Sequence, residues 1–511
     1  MKRKICLLFI VLITCIPGFI MGSNNVDSGT GSSPANAGGT GKVYWPTQGW
    51  KTSSPEQQGM DSGLLTDMLK EAEKKKITLH SLLVIRNGYM VLEAYFPPYK
   101  KDMAHAQNSC TKSINSAVFG VAMNEGYIKS VDQKVSDFFP EYKMDTANDN
   151  KKDMTLKHLL TMTTGINGDP NINNPNSNDI LKDYFNLNFN TPLGTKFVYD
   201  SNASNALSAV IQKATGRNTF EYAKEKLFKP LGIKNVFWAT DNLGRNFGGG
   251  GMRMTPGDMA KIGYLYLNNG LWDGKQLLPA QWVKDSTTKH IDNEQHGYGY
   301  QWWMNEKEGY HGDGARGQRI FVVPSKNLVV VVTAFDDVNN TEQKLLDKYI
   351  VPAAKSAKPL PENKTKLEAL NSQIRKMTDS SVKPAPALNK TAKSISGKKF
   401  KIQTAGYSVK ELAMRFDKNQ CVVNTLETDG KHEYYIGLDN IYRETSLPSG
   451  LSVWQRGSWT KDNTFTVSYH EVTFGRSYEY IYKFDGSKVT LYIKDMSVKS
   501  TSTAATGAMG N

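Results

Sequence analysis

Cysteine is scarce in this chain: there are four in 511 residues. Cys6 and Cys15 fall within an apolar N-terminal run, and Cys110 and Cys421 lie far apart, so a disulfide-built fold is excluded. The eight histidines never fall in HxH or HExxH spacing and no CxxC occurs, so neither a metal centre nor any other cofactor is expected. Basic residues outnumber acidic ones, giving a formal net charge of +14, but dense Lys/Arg runs are lacking. That excludes a nucleic-acid partner and leaves attraction to an anionic wall or membrane surface as the better use of the charge. Gly248 to Gly251 is not followed by GK[ST] and so is a close backbone crossing rather than a phosphate loop. With 39% hydrophobic and 22% charged residues, the composition excludes wholesale disorder.

Long apolar runs are absent too. Lys2-Arg3-Lys4 precedes an apolar stretch from Ile5 to Ile20 that Pro17-Gly18 interrupts, short of the roughly 20 residues a spanning helix needs. The pattern is that of a signal peptide over 1–22, which predicts a secreted or cell-envelope-associated protein. Leu12-Ile13-Thr14-Cys15 is close to a lipoprotein box, but Thr14 is a poor residue before the cysteine, so anchoring at Cys15 is the less favoured reading. Residues 23–43, rich in Gly, Ser and Asn, read as a flexible tether. A folded domain is expected over 44–352. Asn87-Gly88 turns one hairpin and Pro324-Ser325 another, with helices between them, as at 155–162, 203–214 and 259–268. Residues 353–393 read as a linker with one helix near 367–377, residues 394–497 as an all-β accessory domain, and 498–511 as a disordered tail. Trp454, Trp459, Tyr434, Tyr435 and Tyr478 are its expected core.

A serine activated by lysine needs the two side chains one helical turn apart, which Ser-x-x-Lys provides. The pattern occurs at Ser109, Ser286, Ser380, Ser396 and Ser458, and only Ser109 opens a helix. After it Ile114, Ala117, Val118 and Val121 form an apolar stripe, and Asn108 is placed to cap. A serine in a helix's first turn sits in a field that favours a developing alkoxide, with Lys112 beside it.

Ser109-Cys110-Thr111-Lys112 does not stand alone. Leu156 to Gly165 (LKHLLTMTTG), Pro192 to Tyr199 (PLGTKFVY), Leu227 to Ile233 (LFKPLGI) and the Gly-Gln-x-Ile-Phe-Val-Val-Pro run from Gly317 to Pro324 follow in order. Over roughly Trp50 to Pro352 the chain resembles the serine β-lactamase and penicillin-binding-protein superfamily, in the class C-like branch with carboxylesterases and 6-aminohexanoate-dimer hydrolases. The resemblance implies an α+β fold: a β-lactamase/transpeptidase-like antiparallel sheet with flanking helices and a helical lobe, here followed by the C-terminal all-β domain. It implies Ser109 as nucleophile, with Lys112 and Tyr199 as proton-transfer partners and the backbone amides of Ser109 and Ala315 as oxyanion hole. Tyr199 takes the place of the tyrosine in Tyr-x-Asn, but Ser201 stands where the asparagine should, with Asn202 one further on; either could touch substrate. The third motif falls at His311, Gly312, Asp313 and Gly314 without its cation in register, and Arg316 could supply that charge.

These readings predict a secreted serine hydrolase that cleaves an ester or small amide, its partner a small-molecule or peptide substrate with a carbonyl group. A D-Ala-D-Ala peptidase or β-lactamase on the same machinery is the alternative, as is a catalytically silent envelope-binding protein. Tyr298, Tyr300, Trp302 and Trp303 offer either substrate-facing aromatic area or core.

Overall fold

The computed structural model describes residues 44–142, 144, 151–166, 177–305, 307–336, 341–404, 408–447 and 451–509. The leader and tether lie outside the described residues. An antiparallel sheet of six strands organises the hydrolase part: β1 Leu79–Arg86, β2 Tyr89–Tyr95, β3 Trp303–Met304, β4 Tyr310–Gly314, β5 Gln318–Val323 and β6 Leu328–Ala334. They run in the order β2-β1-β6-β5-β4-β3. Both sequence-derived hairpins are present. Asn87 (φ 51°) and Gly88 (φ 82°) take the left-handed angles of a tight turn between β1 and β2, and Asn327 (φ 44°) closes the turn after Pro324.

Every residue of β1, β5 and β6 is buried, because the sheet is covered on both faces. Alternation divides the side chains: Leu83, Ile85, Ile320 and Val322 join one core, Leu82, Val84, Phe321 and Val323 the other. Against the second face lies α1, Ser62–Lys74, capped by Asp61 and burying Leu65, Met68, Leu69 and Ala72 at helical spacing. Against the first lie α2, Cys110–Asn124, and α4, Pro256–Leu267, with α3, Ser201–Thr215, beyond α2. A single buried stripe was expected on α2. Instead Cys110 through Ala122 are all buried, because α2 is sandwiched between the sheet and the helical lobe.

Residues 353–393 are not a free linker. Within them α5, Lys364–Met377, packs along α1, burying Leu370 and pairing Lys366 with Asp61 (3.1 Å) and Lys376 with Glu73 (2.8 Å). The helix expected near 367–377 is present, and its apolar stripe finds a partner that local sequence does not display.

Ten strands follow: 399–402, 411–416, 420–426, 431–437, 443–446, 452–461, 464–471, 476–485, 488–495 and 500–509. They form one sheet that closes into a barrel. Strand 399–402 pairs with 500–509, and Gly437 pairs with Arg456. The expected disordered tail is therefore a strand for most of its length: Ser500–Met509 joins 399–402 to 488–495, an edge that would otherwise be left unpaired. Trp459 packs into the barrel core against Phe416 and Phe465 and Tyr434 packs beside it, but Trp454 faces the other way, and Tyr478, opposite Tyr469, lies outside the core cluster. Lys100 lies over the Trp454 ring, and Tyr478 meets Phe335. They therefore contribute to the contact with the hydrolase part rather than to the core.

That contact is polar at its centre. His105 Nδ1 lies 2.9 Å from the Ala106 carbonyl, which fixes the proton there and leaves Nε2 as acceptor. His80 Nδ1 donates to it (2.8 Å), Ser477 Oγ donates to His80 Nε2 (3.0 Å), and His470 Nδ1 donates to Ser477 Oγ (2.8 Å). Ser468 and Tyr442 reach His470 Nε2 at 3.0 and 3.2 Å. The three imidazoles are buried, and burial lowers their pKa values and so favours the neutral form. Gly475 lies against the His105 ring at φ 61°, where a Cβ would sit 2.4 Å from the imidazole.

Candidate active site

Ser109 immediately precedes α2 and is half-buried. Asn108 does not cap the helix with its side chain. It holds φ 46°, its carbonyl accepts from the Thr111 backbone N–H (3.2 Å) and hydroxyl (2.7 Å), and its amide donates to the Ala315 carbonyl at 2.8 Å. Lys112, one turn on and 2% exposed, points its ammonium at three acceptors: Ser109 Oγ (3.1 Å), Ser201 Oγ (2.7 Å) and the Gly249 carbonyl (2.7 Å). Three N–H donors meet three oxygens, which is what a buried ammonium requires. The Tyr199 ring covers the same ammonium, 4.7 Å from its centroid. Among the five Ser-x-x-Lys matches, Ser286 is fully buried and bonds Val283, while its lysine, Lys289, pairs with Asp292 at the surface.

Ser201 and Asn202 separate cleanly. Both open α3 behind the Asp200 cap, but Ser201 reaches Lys112 whereas Asn202 Oδ1 accepts from Asn205 Nδ2 at 3.3 Å. Ser201 is thus the residue of the second motif that meets the Ser-Lys pair. In the third motif the strand's alternation decides. Gly312 and Gly314 face α2: a Cβ on Gly312 would lie 3.1 Å from Ser113 Oγ, and one on Gly314 would lie 2.3 Å from the Gln107 carbonyl and 3.2 Å from the Cys110 nitrogen. His311 and Asp313 point to the opposite face, contrary to their expected place beside the substrate. His311 Nδ1 contacts Asn305 Oδ1 (2.7 Å) with its ring near Phe321, and burial keeps the imidazole well below its ordinary pKa. Asp313 is paired with Arg319. Arg316 lies over the Phe335 ring at 4.9 Å, on the barrel side. Ala315 is exposed beside the nucleophile turn. Of the aromatic run, Tyr298, Tyr300 and Trp302 are core, and only Trp303 is half-buried, 5.7 Å from Tyr199.

Sequence reasoning missed two supports. Gly249 offers its carbonyl to Lys112 while its nitrogen donates to Asn205 Oδ1 (2.9 Å); the glycine run signalled the crossing but not what crosses. Gln301, buried at φ 68°, bonds the Leu160 carbonyl (2.9 Å), accepts from Ser204, and takes a bond from Ser113 on its own carbonyl (2.7 Å). It ties α2, α3 and the helix Leu156–Leu160 together. Similarly, Val198 N–H donates to the Met162 carbonyl (2.8 Å) and Gly194 N–H to that of Thr163 (2.9 Å), which brings the LKHLLTMTTG and PLGTKFVY segments together and sets Tyr199 in place.

Cys110, beside the nucleophile, is no rival to it: burial pushes its thiol up, and Sγ donates to the Gln318 carbonyl (3.3 Å). Among the described residues, the cluster of acidic and histidine ligands close enough for a cation is Glu427, Asp429 and His432 on the barrel, where His432 is paired with Asp429.

The family model described as Beta-lactamase matches residues 66–355, more than half of the chain. The chain belongs to the beta-lactamase family. Members of this family are serine hydrolases, and Ser109, Lys112 and Tyr199 all lie within the matched span. A 6-aminohexanoate-dimer hydrolase from Paenarthrobacter ureafaciens is 24% identical over 287 residues, covering 49% of this beta-lactamase-family chain and 71% of that protein. Among solved structures, a family VIII carboxylesterase covers 59% of this chain and 98% of its own at 16% identity and TM-score 0.48. The octameric penicillin-binding protein homologue from Pyrococcus abyssi covers 84% and 97% at 16% identity and TM-score 0.46.

Proposed function

We propose that this protein hydrolyses an ester or small amide through a Ser109 acyl-enzyme. The observation that carries the reading is the Lys112 ammonium held between Ser109 Oγ and Ser201 Oγ beneath the Tyr199 ring. With Lys112 or Tyr199 in its deprotonated form, the Ser109 hydroxyl proton passes to it as Oγ bonds the substrate carbonyl carbon. The electron pair of the carbonyl moves onto its oxygen, which the backbone N–H groups of Ser109 and Ala315 would receive. Collapse of the intermediate expels the alcohol or amine, which takes up the proton held by Lys112 or Tyr199. Water then attacks the acyl-enzyme by the same route and frees the acid.

The face of β4 toward α2 carries glycine at Gly312 and Gly314, and His311 is uncharged on the other face. Without a cation there, substrates anchored by a carboxylate, such as β-lactams and D-Ala-D-Ala peptides, lose a main handle, and esters and small amides are favoured. The basic-then-apolar leader supports export, and the net positive charge supports residence near an anionic envelope. A fluorophosphonate probe and short-chain p-nitrophenyl esters test the assignment: labelling and turnover are expected in the wild type and absent in Ser109→Ala. Equal labelling of the two proteins would remove Ser109 from its role. Efficient nitrocefin turnover would reverse the substrate ranking.

A further inference from the structure

The barrel's interior is filled at one end only. Phe400, Met414, Phe465 and Phe484 pack there with Ala392 and Ile395 of the short helix Lys390–Ile395. The remaining interior holds a partly open cavity of about 340 Å³, walled by Val423, Ile436, Leu491, Tyr469, Tyr480 and Tyr482. Its volume falls in the range of small-molecule sites, roughly 300–1,000 Å³.

Among the polar groups of this wall, two bear on the chemistry of an occupant. Gln455 is 4% exposed, and its Oε1 has no hydrogen-bond partner among the described residues. A half-turn of the amide presents either an acceptor or a donor to whatever occupies the cavity. Glu427 Oε1 accepts from Thr425 Oγ1 (2.7 Å) and from the Tyr434 hydroxyl (2.9 Å), an arrangement suited to the ionised carboxylate. Fixed negative charge beside the cavity repels an anionic head group and welcomes a cation or a neutral donor.

We propose that the barrel binds a single medium-length apolar molecule with an amine, alcohol or amide head, the tail in the cavity and the head at Gln455 and Glu427. The site shares no residue with the Ser109 centre, so its occupancy and the hydrolase reading stand or fall separately.

The full-length protein is titrated with N-phenyl-1-naphthylamine, a neutral aryl amine whose fluorescence rises in apolar surroundings. One saturable site per chain is expected. Decylamine, decanol and decanamide should displace the probe, with decanoate at least about tenfold weaker because of Glu427. Val423→Trp, which fills the cavity, should lose probe binding at least tenfold with an unchanged circular dichroism spectrum. Should that variant unfold, Gln455→Leu decides: it keeps the wall's shape and removes the amide, and decanamide should bind it about tenfold more weakly, the worth of one buried hydrogen bond. No saturable probe binding, undiminished binding in a folded Val423→Trp, unchanged decanamide affinity in Gln455→Leu, or equal displacement by decanoate and decylamine would each overturn the proposal.

Discussion

The side-chain amide of Asn108 donates to the Ala315 carbonyl at 2.8 Å, so the residue before the nucleophile is tied to the strand end that would supply an oxyanion-hole amide. This hydrogen bond is one of the ties between the two halves of the site, beside the Cys110–Gln318 bond and the packing of Gly314 on Gln107. Asn108 also holds φ 46°, a conformation asparagine tolerates better than most residues. Asn108→Asp keeps the shape but sets a carboxylate against the carbonyl, and Asn108→Ala adds backbone strain. Both should lower kcat on p-nitrophenyl esters by roughly 10- to 100-fold with KM little changed, since small misplacements of catalytic groups cost that much. A wild-type kcat in Asn108→Asp would show that the bond positions nothing.

Lys112 is expected to matter more than Ser201, although both touch the same cluster. Lys112→Ala removes a proton-transfer partner and should cost about 10²–10⁴ in kcat. Ser201→Ala removes one of three acceptors of the ammonium, leaving Ser109 Oγ and the Gly249 carbonyl. A loss of about tenfold is expected there, from an N–H left without its partner. Steady-state kinetics of the two variants give the order, and a reversed order would place Ser201 at the centre of proton transfer.

Gly314→Ala tests the approach of β4 to the start of α2. The added methyl would lie 2.3 Å from the Gln107 carbonyl, a backbone atom that cannot swing aside, so strand and helix must part. Activity should fall by 10²-fold or so while the barrel's contact with the hydrolase part is untouched. Parallel measurements of turnover and of the unfolding temperature separate a displaced oxyanion hole from general destabilisation.

Stability should depend on pH through the buried histidines between hydrolase part and barrel. Burial lowers all three: His105 to about 4, His470 to about 3, and His80 well below its ordinary value, with His105 and His470 adding to the shift of His80. The facing groups are Tyr99 stacked on His80, Tyr442 against His470, and Arg456, whose charge further lowers His470. Depressed folded-state values mean that the unfolded chain binds more protons below about pH 6.5, so stability is full above that pH and falls as pH drops toward 4. The slope should approach 1.4 kcal/mol per pH unit for each histidine. Unfolding midpoints in urea at pH 8, 6, 5 and 4 measure it. A flat profile across that range would mean that the rings are already charged or already exposed.

A chain ending at Asp379 should outlast one ending at Pro352. The shorter version lacks α5, whose Leu370 is buried against α1 and whose Lys366 and Lys376 pair with Asp61 and Glu73. Burying one leucine contributes about 1.5–3 kcal/mol, while exposed ion pairs add little. Both truncations uncover His80 and His105, so the difference in their unfolding temperatures reports on α5 together with the segment before it, where Lys355 pairs with Asp61 and the Ser356 carbonyl accepts from Arg86. Equal temperatures would make the helix an ornament of the surface.

Local pattern was enough for much of this molecule. Asn87-Gly88 specified its hairpin because a tight turn needs left-handed angles, and Ser-x-x-Lys at a helix start placed Ser109 beside Lys112 because 3.6 residues per turn allow nothing else. Ser286, at the last position of its helix, and Ser458, in a strand, lack the helix start that the pairing needs. What the sequence could not decide was every relation that depends on which face a strand turns or on what a distant segment brings. His311 and Asp313 share their strand with Gly312 and Gly314, and only the register against Ile320 and Phe321 shows which pair meets α2. Ser201 and Asn202 are neighbours on one helix, and only its rotation against α2 gives Lys112 to Ser201. Ser500–Met509 is polar and small-residued, and became a strand because a barrel must close. Spacing along a chain fixes neighbours within a turn or a hairpin; contacts across a hundred residues or more are fixed by packing, which is set by the whole fold at once.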